Sequence, residues 1–274
     1  MRNTALIAIL TVITVGAHAG DWVKAPIQGK SPIEECVDIG GSMTVGYETD
    51  YLFYGARFAG DSVWTDVNYT FENFVVPINV GLWYLNALNN PSNYDELDLY
   101  ASVTLGTVAG FDIDVKYGHF FFIESEAGSY GEVELDLTRS LGFVDFYASA
   151  IYSLAAGRGM PEGVGPNGWY YQTGIEKTID LFGPFSLVLN TGIAYSDNYF
   201  ANQLAGVAEL NQSGWNHYFA TASLPIELNC RTILTPYIGY SGAPDTWVVD
   251  GIDGTGNGAQ SDILHGGVNL SVSF

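Results

Sequence analysis

Residues 267–274 are Gly-Val-Asn-Leu-Ser-Val-Ser-Phe and are the last eight of the sequence. Apolar and polar residues alternate strictly from Val268 to Phe274. One face carries Val268, Leu270, Val272 and Phe274, and the other carries Asn269, Ser271 and Ser273. Successive side chains of a β-strand point to opposite faces. The stretch therefore predicts a strand with one apolar and one polar face that ends in an aromatic residue.

The same alternation recurs along the chain from residue 40 onward. It predicts about twelve strands, with ends uncertain by roughly two to four residues. Their expected spans are 42–54, 62–71, 78–85, 96–105, 111–121, 132–140, 143–153, 169–179, 185–196, 215–228, 233–242 and 262–274. The connections alternate between short turns and a mostly longer set, which begins with 55–61 and is rich in Gly, Asn, Pro and Asp, as is typical of loops. In a barrel we expect this longer set to form external loops.

The composition of the 274-residue sequence excludes several classes of protein. The sequence holds 30 Asp and Glu against 9 Lys and Arg, which gives a net charge of −21. Aromatic residues make up 14% and there are 33 glycines. So much apolar and aromatic material excludes a disordered chain. The lack of a basic surface argues against binding of nucleic acid.

Two architectures accommodate many alternating strands. A secreted β-sandwich buries its apolar faces between two sheets, whereas a transmembrane barrel turns them towards lipid and its polar faces towards the lumen. Alternating short and long connections favour the barrel, since barrels have tight turns at one rim and longer loops at the other. We predict an all-β fold, a transmembrane antiparallel up-and-down β-barrel over residues 40–274. The sandwich stays as the alternative.

The C-terminal strand resembles the last strand of bacterial outer-membrane proteins. That strand ends in an aromatic residue, and the barrel-assembly machinery recognises it. The resemblance implies that Val268, Leu270, Val272 and Phe274 form an assembly signal. It also implies a location in the bacterial outer membrane, in contact with its lipid.

A second resemblance lies near the first predicted strand. Residues 46–55, Gly-Tyr-Glu-Thr-Asp-Tyr-Leu-Phe-Tyr-Gly, resemble the S-D-Y-x-F-R-G segment of the TorF family of putative porins. Thr49 replaces the serine and Tyr54 replaces the arginine. Residues 222–226 and 234–240 are similar to closing strands of such barrels. The resemblance implies a small outer-membrane channel.

The N-terminus indicates export. Arg2, an apolar stretch over 5–15 and Ala17-His18-Ala19 follow the order of a signal peptide and its cleavage site. We expect residues 1–19 to be removed after Ala19 and residues 20–39 to form a periplasmic leader. A buried N-terminal helix is the alternative.

The polar strand faces predict an acidic lumen. We expect it to be lined by Glu96, Asp98, Asp112, Asp114, Lys116, Glu132, Glu134, Asp136, Asp145 and Glu176, and we assign Glu48, Asp66 and Glu227 to the same face. Acidic linings favour cations. The sequence therefore predicts a channel for passive diffusion of small solutes that prefers cations. Taken singly, each carboxylate fits a solvated wall or rim residue without selective function better, and only the aggregate imbalance of charge supports selectivity.

Aromatic residues near the predicted strand ends suggest interfacial girdles, because Tyr and Trp favour the level of the lipid headgroups. A sugar-stacking lining of the lumen is the alternative. The residues concerned are Tyr51, Phe53, Trp83, Tyr84, Trp169, Tyr195, Trp215 and Tyr218.

Catalytic and cofactor signals are sparse. A barrel hydrolase needs a serine that is hydrogen-bonded to a histidine, and no sequence signature identifies such a serine for His217 or His265. The sequence also has no metal-ligand spacing and no phosphate-binding loop. We expect no catalytic residue, cofactor or metal. A barrel enzyme that hydrolyses lipid or peptide, and an adhesion barrel acting through loops 197–214 and 243–261, stay as alternatives.

Two cysteines occur in the sequence, Cys36 before the first strand and Cys230 in a short turn. Both are expected on the periplasmic side, where thiols oxidise. We predict a Cys36–Cys230 disulfide that tethers the leader near the mouth of the barrel. Two unpaired thiols are the alternative.

Overall fold

A computed structural model describes residues 39–88, 94–123, 129–154, 168–199, 213–245, 247–249 and 262–274. The predicted signal peptide and nearly all of the predicted leader lie outside these residues. The strands are β1 Gly41–Glu48, β2 Tyr51–Phe53, β3 Ala56–Ala59, β4 Ser62–Phe71, β5 Ile78–Ala87, β6 Asp95–Val108, β7 Phe111–Phe122, β8 Tyr130–Ser140, β9 Asp145–Ser153, β10 Trp169–Asp180, β11 Ser186–Asp197, β12 Ser213–Ser223, β13 Ile226–Asn229, β14 Thr232–Gly242 and β15 Asp262–Ser273.

The strands form a closed, twelve-stranded, antiparallel up-and-down barrel. Consecutive wall strands pair from β4 to β12, β12 pairs with β14, and β14 pairs with β15. The barrel closes where β1 pairs with both β4 and β15. Closure leaves no open sheet edge, which is the condition for a sheet to lie in lipid. The predicted fold class is confirmed.

The last strand closes the barrel in a continuous register. Residues 42–48 of β1 pair with residues 267–273 of β15 in reverse order. Phe274 extends the pairing, because its N–H donates to the Gly41 carbonyl at 2.9 Å and its own carbonyl accepts from Ile39 N–H at 3.0 Å. Val268, Val272 and Phe274 are exposed on the outer face. Whether an assembly machinery recognises this strand stays a prediction.

The tenth wall strand is interrupted by a proline. β12 ends at Ser223, and β13 resumes at Ile226 after Leu224 and Pro225. Proline has no N–H to donate to a ladder, but its carbonyl accepts from Ser186 N–H at 3.1 Å. The predicted strand 215–228 therefore corresponds to two strands that follow one path.

Burial follows the alternation of the sequence. On β8, Glu132, Glu134 and Asp136 are 4%, 4% and 1% exposed, whereas Val133 and Leu135 between them are 40% and 41% exposed. The charged side chains therefore point into the barrel and the aliphatic ones point out. This is the reverse of a water-soluble globular protein and the arrangement expected of a barrel surrounded by lipid. In the described part of the chain, no helix has the length and apolar character needed to cross a membrane.

Glycines on the inner face leave room for aromatic rings of neighbouring strands. A Cβ at Gly46 would lie 2.3 Å from the Trp64 ring, and one at Gly192 would lie 2.4 Å from the Phe219 ring. A Cβ at Gly81 would likewise come too close to the Tyr100 side chain, and one at Gly174 would come too close to the Tyr147 side chain. Each ring therefore lies close against the barrel wall over a position that has no side chain.

Substituting Gly192 by alanine is expected to destabilise the barrel. The new Cβ would also lie 2.6 Å from the Thr173 carbonyl oxygen, so backbone as well as ring must move. Overpacking of this kind costs about 1–3 kcal/mol. Gly60→Ala is the matched control, because a Cβ there has open space around it. Urea unfolding in lipid or detergent measures both; equal free energies of unfolding for the two variants would contradict the prediction.

Candidate functional site

A β-hairpin connects β1 to β4. Its strands β2 and β3 pair only with each other, and Phe53 lies opposite Ala56. The two residues between them, Tyr54 and Gly55, have φ angles of 47° and 82°. Positive φ at both central positions is the signature of a type I′ turn, the connection favoured in two-residue hairpins. We call residues 50–60 the inner hairpin.

The inner hairpin lies inside the barrel. Tyr51 and Ala59 are completely buried, as is Glu48 where β1 ends, and Leu52, Phe53 and Ala56 are buried as well. Two sequence predictions are therefore wrong: strand 42–54 ends at Glu48, and residues 55–61 are not an external loop. The physical reason is that four consecutive large apolar residues, Tyr51 to Tyr54, cannot all face lipid on one strand and are instead buried together in the lumen.

Two phenol–carboxylate contacts attach the inner hairpin to the wall. The Tyr51 hydroxyl donates to Glu96 Oε2 at 2.9 Å, and the Tyr54 hydroxyl donates to Glu132 Oε2 at 2.8 Å. Burial, and next the neighbouring carboxylate, raise the pKa of both Tyr51 and Tyr54 well above the ordinary value. Both phenols therefore stay protonated and able to donate at neutral pH.

The same two carboxylates accept further phenols. The Tyr94 hydroxyl donates to Glu96 Oε2 at 2.6 Å, and the Tyr199 hydroxyl donates to Glu132 Oε1. Each buried carboxylate thus accepts one hydrogen bond from a tyrosine of the hairpin and one from a tyrosine outside it. Such charge-assisted hydrogen bonds are the stronger kind.

Aromatic packing fills the space around the inner hairpin. The Tyr54 ring stacks on Tyr170 with centroids 4.2 Å apart, and the Phe53 ring meets Phe120 edge to face at 5.7 Å. Tyr51 lies 5.6 Å from Trp83. The interior of the barrel near the long connections is therefore an aromatic core, with the hairpin at its centre.

A β-bulge on β12 receives the tip of the inner hairpin. The β11–β12 register shifts between Ile193 and Tyr195, and both Asn216 and His217 are buried there, so two consecutive side chains face inward. Asn216 Nδ2 donates to the Tyr54 carbonyl at 2.6 Å. The His217 ring lies against Gly55, where a Cβ would come within 2.4 Å of it.

The interior towards the short turns is acidic along β6, β7 and β8. Lys116 Nζ lies 3.8 Å from Glu134 Oε2 and 5.4 Å from the centroid of the Tyr100 ring. Asp114 accepts from Thr104 and Asp136 accepts from Ser149, each at 2.5 Å. These side chains are buried on the inner face, next to Asp98.

Other predicted lumen residues lie elsewhere on the inner face or at a rim. Glu176 accepts from Asn190 at 3.3 Å, and Asp66 accepts from Tyr100 at 2.8 Å. Asp112 and Asp145 are exposed beside short turns. The predicted lining is thus concentrated on one side of the barrel, with Asp112 and Asp145 at its mouth.

The girdle prediction divides in two. Trp169, Tyr195, Trp215 and Tyr218 are exposed on the outer face. Tyr51, Phe53 and Trp83 are buried inside, so for them the girdle prediction is wrong. Strand pairing accounts for the inward position of Trp83, since it lies opposite Asp66 on β4 and Asp98 on β6.

Within the described ranges, neither candidate catalytic histidine is hydrogen-bonded to a serine. The His217 ring contacts Asn216 Nδ2 at 2.9 Å, and His265 Nδ1 is buried without a hydrogen-bond partner. Among the residues described, no three metal-ligating side chains come together. Cys230 lies in the described turn between β13 and β14, whereas Cys36 lies outside the described residues, so the Cys36–Cys230 disulfide stays a prediction.

Fold and interior together define an outer-membrane-type β-barrel of twelve strands. An outer membrane channel from Pseudomonas putida F1 has the same fold, with a TM-score of 0.50 and 10% identity, over 89% of this chain and 99% of that one. The KdgM porin in complex with disordered oligogalacturonate has a TM-score of 0.48 and 10% identity over 85% of this chain and 99% of that chain. The NanC porin has a TM-score of 0.47 and 14% identity over 85% of this chain and 98% of that chain. No protein-family model and no curated protein matches the sequence.

Proposed function

We propose that the protein is an outer-membrane channel through which small solutes diffuse passively, with a preference for cations. The observation that carries this proposal is the charge of the inner face. Among the described residues, the inner face and its hairpin present two cations, Lys116 and Arg57. Each lies beside a carboxylate, Lys116 by Glu134 and Arg57 by Asp50 at 3.3 Å. The inward carboxylates include Glu48, Asp66, Glu96, Asp98, Asp114, Glu132, Glu134, Asp136 and Glu176.

The excess of carboxylates over cations on the inner face favours cations for an electrostatic reason. A lumen enclosed by low-dielectric walls and lipid concentrates the field of its charges, which raises the local concentration of cations and lowers that of anions. Lys116 neutralises only part of this field, because several carboxylates surround it. A small hydrated cation therefore enters more readily than a chloride ion of similar size.

The outer surface supports placement in the outer membrane. Aliphatic side chains such as Leu99, Val133 and Leu135 are exposed at mid-strand, where a barrel meets acyl chains. We infer that the short turns face the periplasm and the long connections face outward, as is usual for bacterial barrels. Export by a signal peptide cleaved after Ala19, and insertion by the barrel-assembly machinery through the C-terminal strand, belong to this proposal.

The likeness to the TorF family of putative porins also belongs to the proposal. The segment that carries it, residues 46–55, forms the end of β1, the strand β2 and the turn of the inner hairpin. Of its aromatic residues, Tyr51, Phe53 and Tyr54 pack inside the lumen.

Neutralising the acidic wall is expected to lower cation selectivity. The Glu134→Gln/Asp136→Asn variant removes two inner carboxylates with little change of shape. We expect the ratio of potassium to chloride permeability to fall towards one. Reversal potentials in a potassium chloride gradient across a planar bilayer measure this ratio.

A matched control removes the same number of carboxylates at positions away from the acidic inner wall. Glu72→Gln/Asp180→Asn removes two carboxylates exposed near the short turns, and its permeability ratio is expected to stay near that of the unmodified protein. Equal shifts in both variants would contradict a selective inner wall. Absence of any conductance from folded protein would contradict the channel.

A further inference from the structure

We propose that the inner hairpin is a plug that holds the resting channel closed and leaves the lumen when the channel opens. This inference rests on the proposed channel function. The first observation is occlusion. Glu48, Glu96 and Glu132 lie on three different parts of the wall, and all are buried, together with Phe53, Tyr54 and Ala56 at the tip of the hairpin. The described conformation therefore has no wide water-filled passage at the level of the hairpin.

The second observation is that the inner hairpin is separate from the wall. β2 and β3 form their own two-stranded sheet, and neither strand pairs with a wall strand. At its base, Glu48 of β1 pairs directly with Ser62 of β4. The hairpin can therefore leave the lumen as a unit without breaking any strand pairing of the barrel.

The third observation is the nature of its attachment. Polar docking includes the contacts of Tyr51 with Glu96, of Tyr54 with Glu132, and of Asn216 with the Tyr54 carbonyl. Aromatic packing on Tyr170 and Phe120 adds to them. The wall contributes side chains of β6, β7, β8, β10 and β12 to these contacts, and none of the contacts is a strand pairing. They can therefore be released without disturbing the sheet of the barrel.

Displacement of the hairpin would turn the closed interior into a passage. It would expose Glu96 and Glu132 to the lumen. Each would keep one hydrogen bond, Glu96 from the Tyr94 hydroxyl and Glu132 from the Tyr199 hydroxyl. The carboxylates would then add to the acidic wall along β6 to β8. The open state is therefore expected to be both wider and cation-preferring.

Single-channel recording of the purified full chain in planar bilayers tests the plug. One variant lacks residues 51–59, which leaves Thr49, Asp50, Gly60 and Asp61 to join β1 to β4. A second variant, Tyr51→Phe/Tyr54→Phe, keeps the rings and removes both hydroxyl donors. Loss of one hydrogen bond to a charged group shifts an equilibrium about tenfold or more. The double variant should thus raise the ratio of open to closed time at least that much.

The control for the double variant is Tyr69→Phe/Tyr171→Phe, which removes two hydroxyls from the outer face. We expect rare openings for the unmodified protein and the control, frequent openings for Tyr51→Phe/Tyr54→Phe, and persistent larger conductance for the deletion variant. If the deletion variant fails to show the heat-dependent gel shift of a folded barrel, the double variant decides the question.

Failure of the plug and failure of the channel give different results. Equal conductance and open time in the unmodified protein and both hairpin variants would overturn the plug and leave the channel standing. An equal rise in the Tyr69→Phe/Tyr171→Phe control would also overturn the plug, since the effect would not come from the hairpin. Folded deletion protein that conducts nothing would overturn both proposals.

Discussion

Deleting residues 267–274 is expected to abolish barrel formation. These residues supply every partner of β1 on one side, from the pair Glu48–Gly267 to the pair Ser42–Ser273. Without them both β1 and β14 would carry unpaired N–H and C=O groups into lipid, where each unsatisfied group costs several kcal/mol. Folding into lipid vesicles, followed by heat-dependent gel mobility, measures the folded fraction, which should fall to near zero.

Phe274→Leu is the control that separates closure from recognition. It keeps every strand pair and an apolar outer side chain, so refolding into vesicles should be close to normal. If an assembly machinery recognises the terminal aromatic ring, the same variant should accumulate more slowly in the outer membrane of cells. A folded, lipid-inserted barrel from the truncated chain would show that β15 is not needed for closure.

Leu135→Arg is expected to be the most damaging single substitution on the outer face. Leu135 lies at the middle of β8 and is exposed between the buried Glu134 and Asp136. A lipid-facing arginine near the bilayer midplane costs about 2–4 kcal/mol. The free energy of unfolding in urea, measured in vesicles, should fall by that amount.

Leu135→Met is the matched control, because it is apolar and of similar volume and should lose less than about 1.5 kcal/mol. A free energy of unfolding for Leu135→Arg equal to that of Leu135→Met would mean that this face does not meet acyl chains. The whole assignment of inner and outer faces would then be reversed, since the strand has only two faces.

The sequence predicted the wall strands closely because their signal is local. Strand 62–71 has the same limits in the structure, and strand 111–121 differs by one residue at its end. Alternation also assigned the inner carboxylates of β8 to the correct face. In a barrel each strand has lipid on one side and lumen on the other along its whole length, so short-range periodicity determines orientation.

Signals for the inner hairpin are present in the sequence, although alternation alone predicts a strand and a loop there. The apolar run Tyr51 to Tyr54 breaks the alternation, and Tyr54-Gly55 suits a two-residue turn. Asn216 and His217 similarly place two consecutive polar residues between Trp215 and Tyr218, which indicates a bulge. At each of these places the alternation of apolar and polar residues is interrupted. Such interruptions mark the positions where the chain does not follow a regular wall strand.

The sequence by itself determined which residues of each wall strand share a face, and with that the acidic character of one face, since both follow from the pattern of neighbouring residues. Only the tertiary structure decided what fills the interior of the barrel. Tyr54 contacts Glu132 and Asn216, which lie 78 and 162 residues away in the chain. Such pairs meet only after the barrel has closed, because closure alone brings strands from opposite ends of the sequence around one lumen.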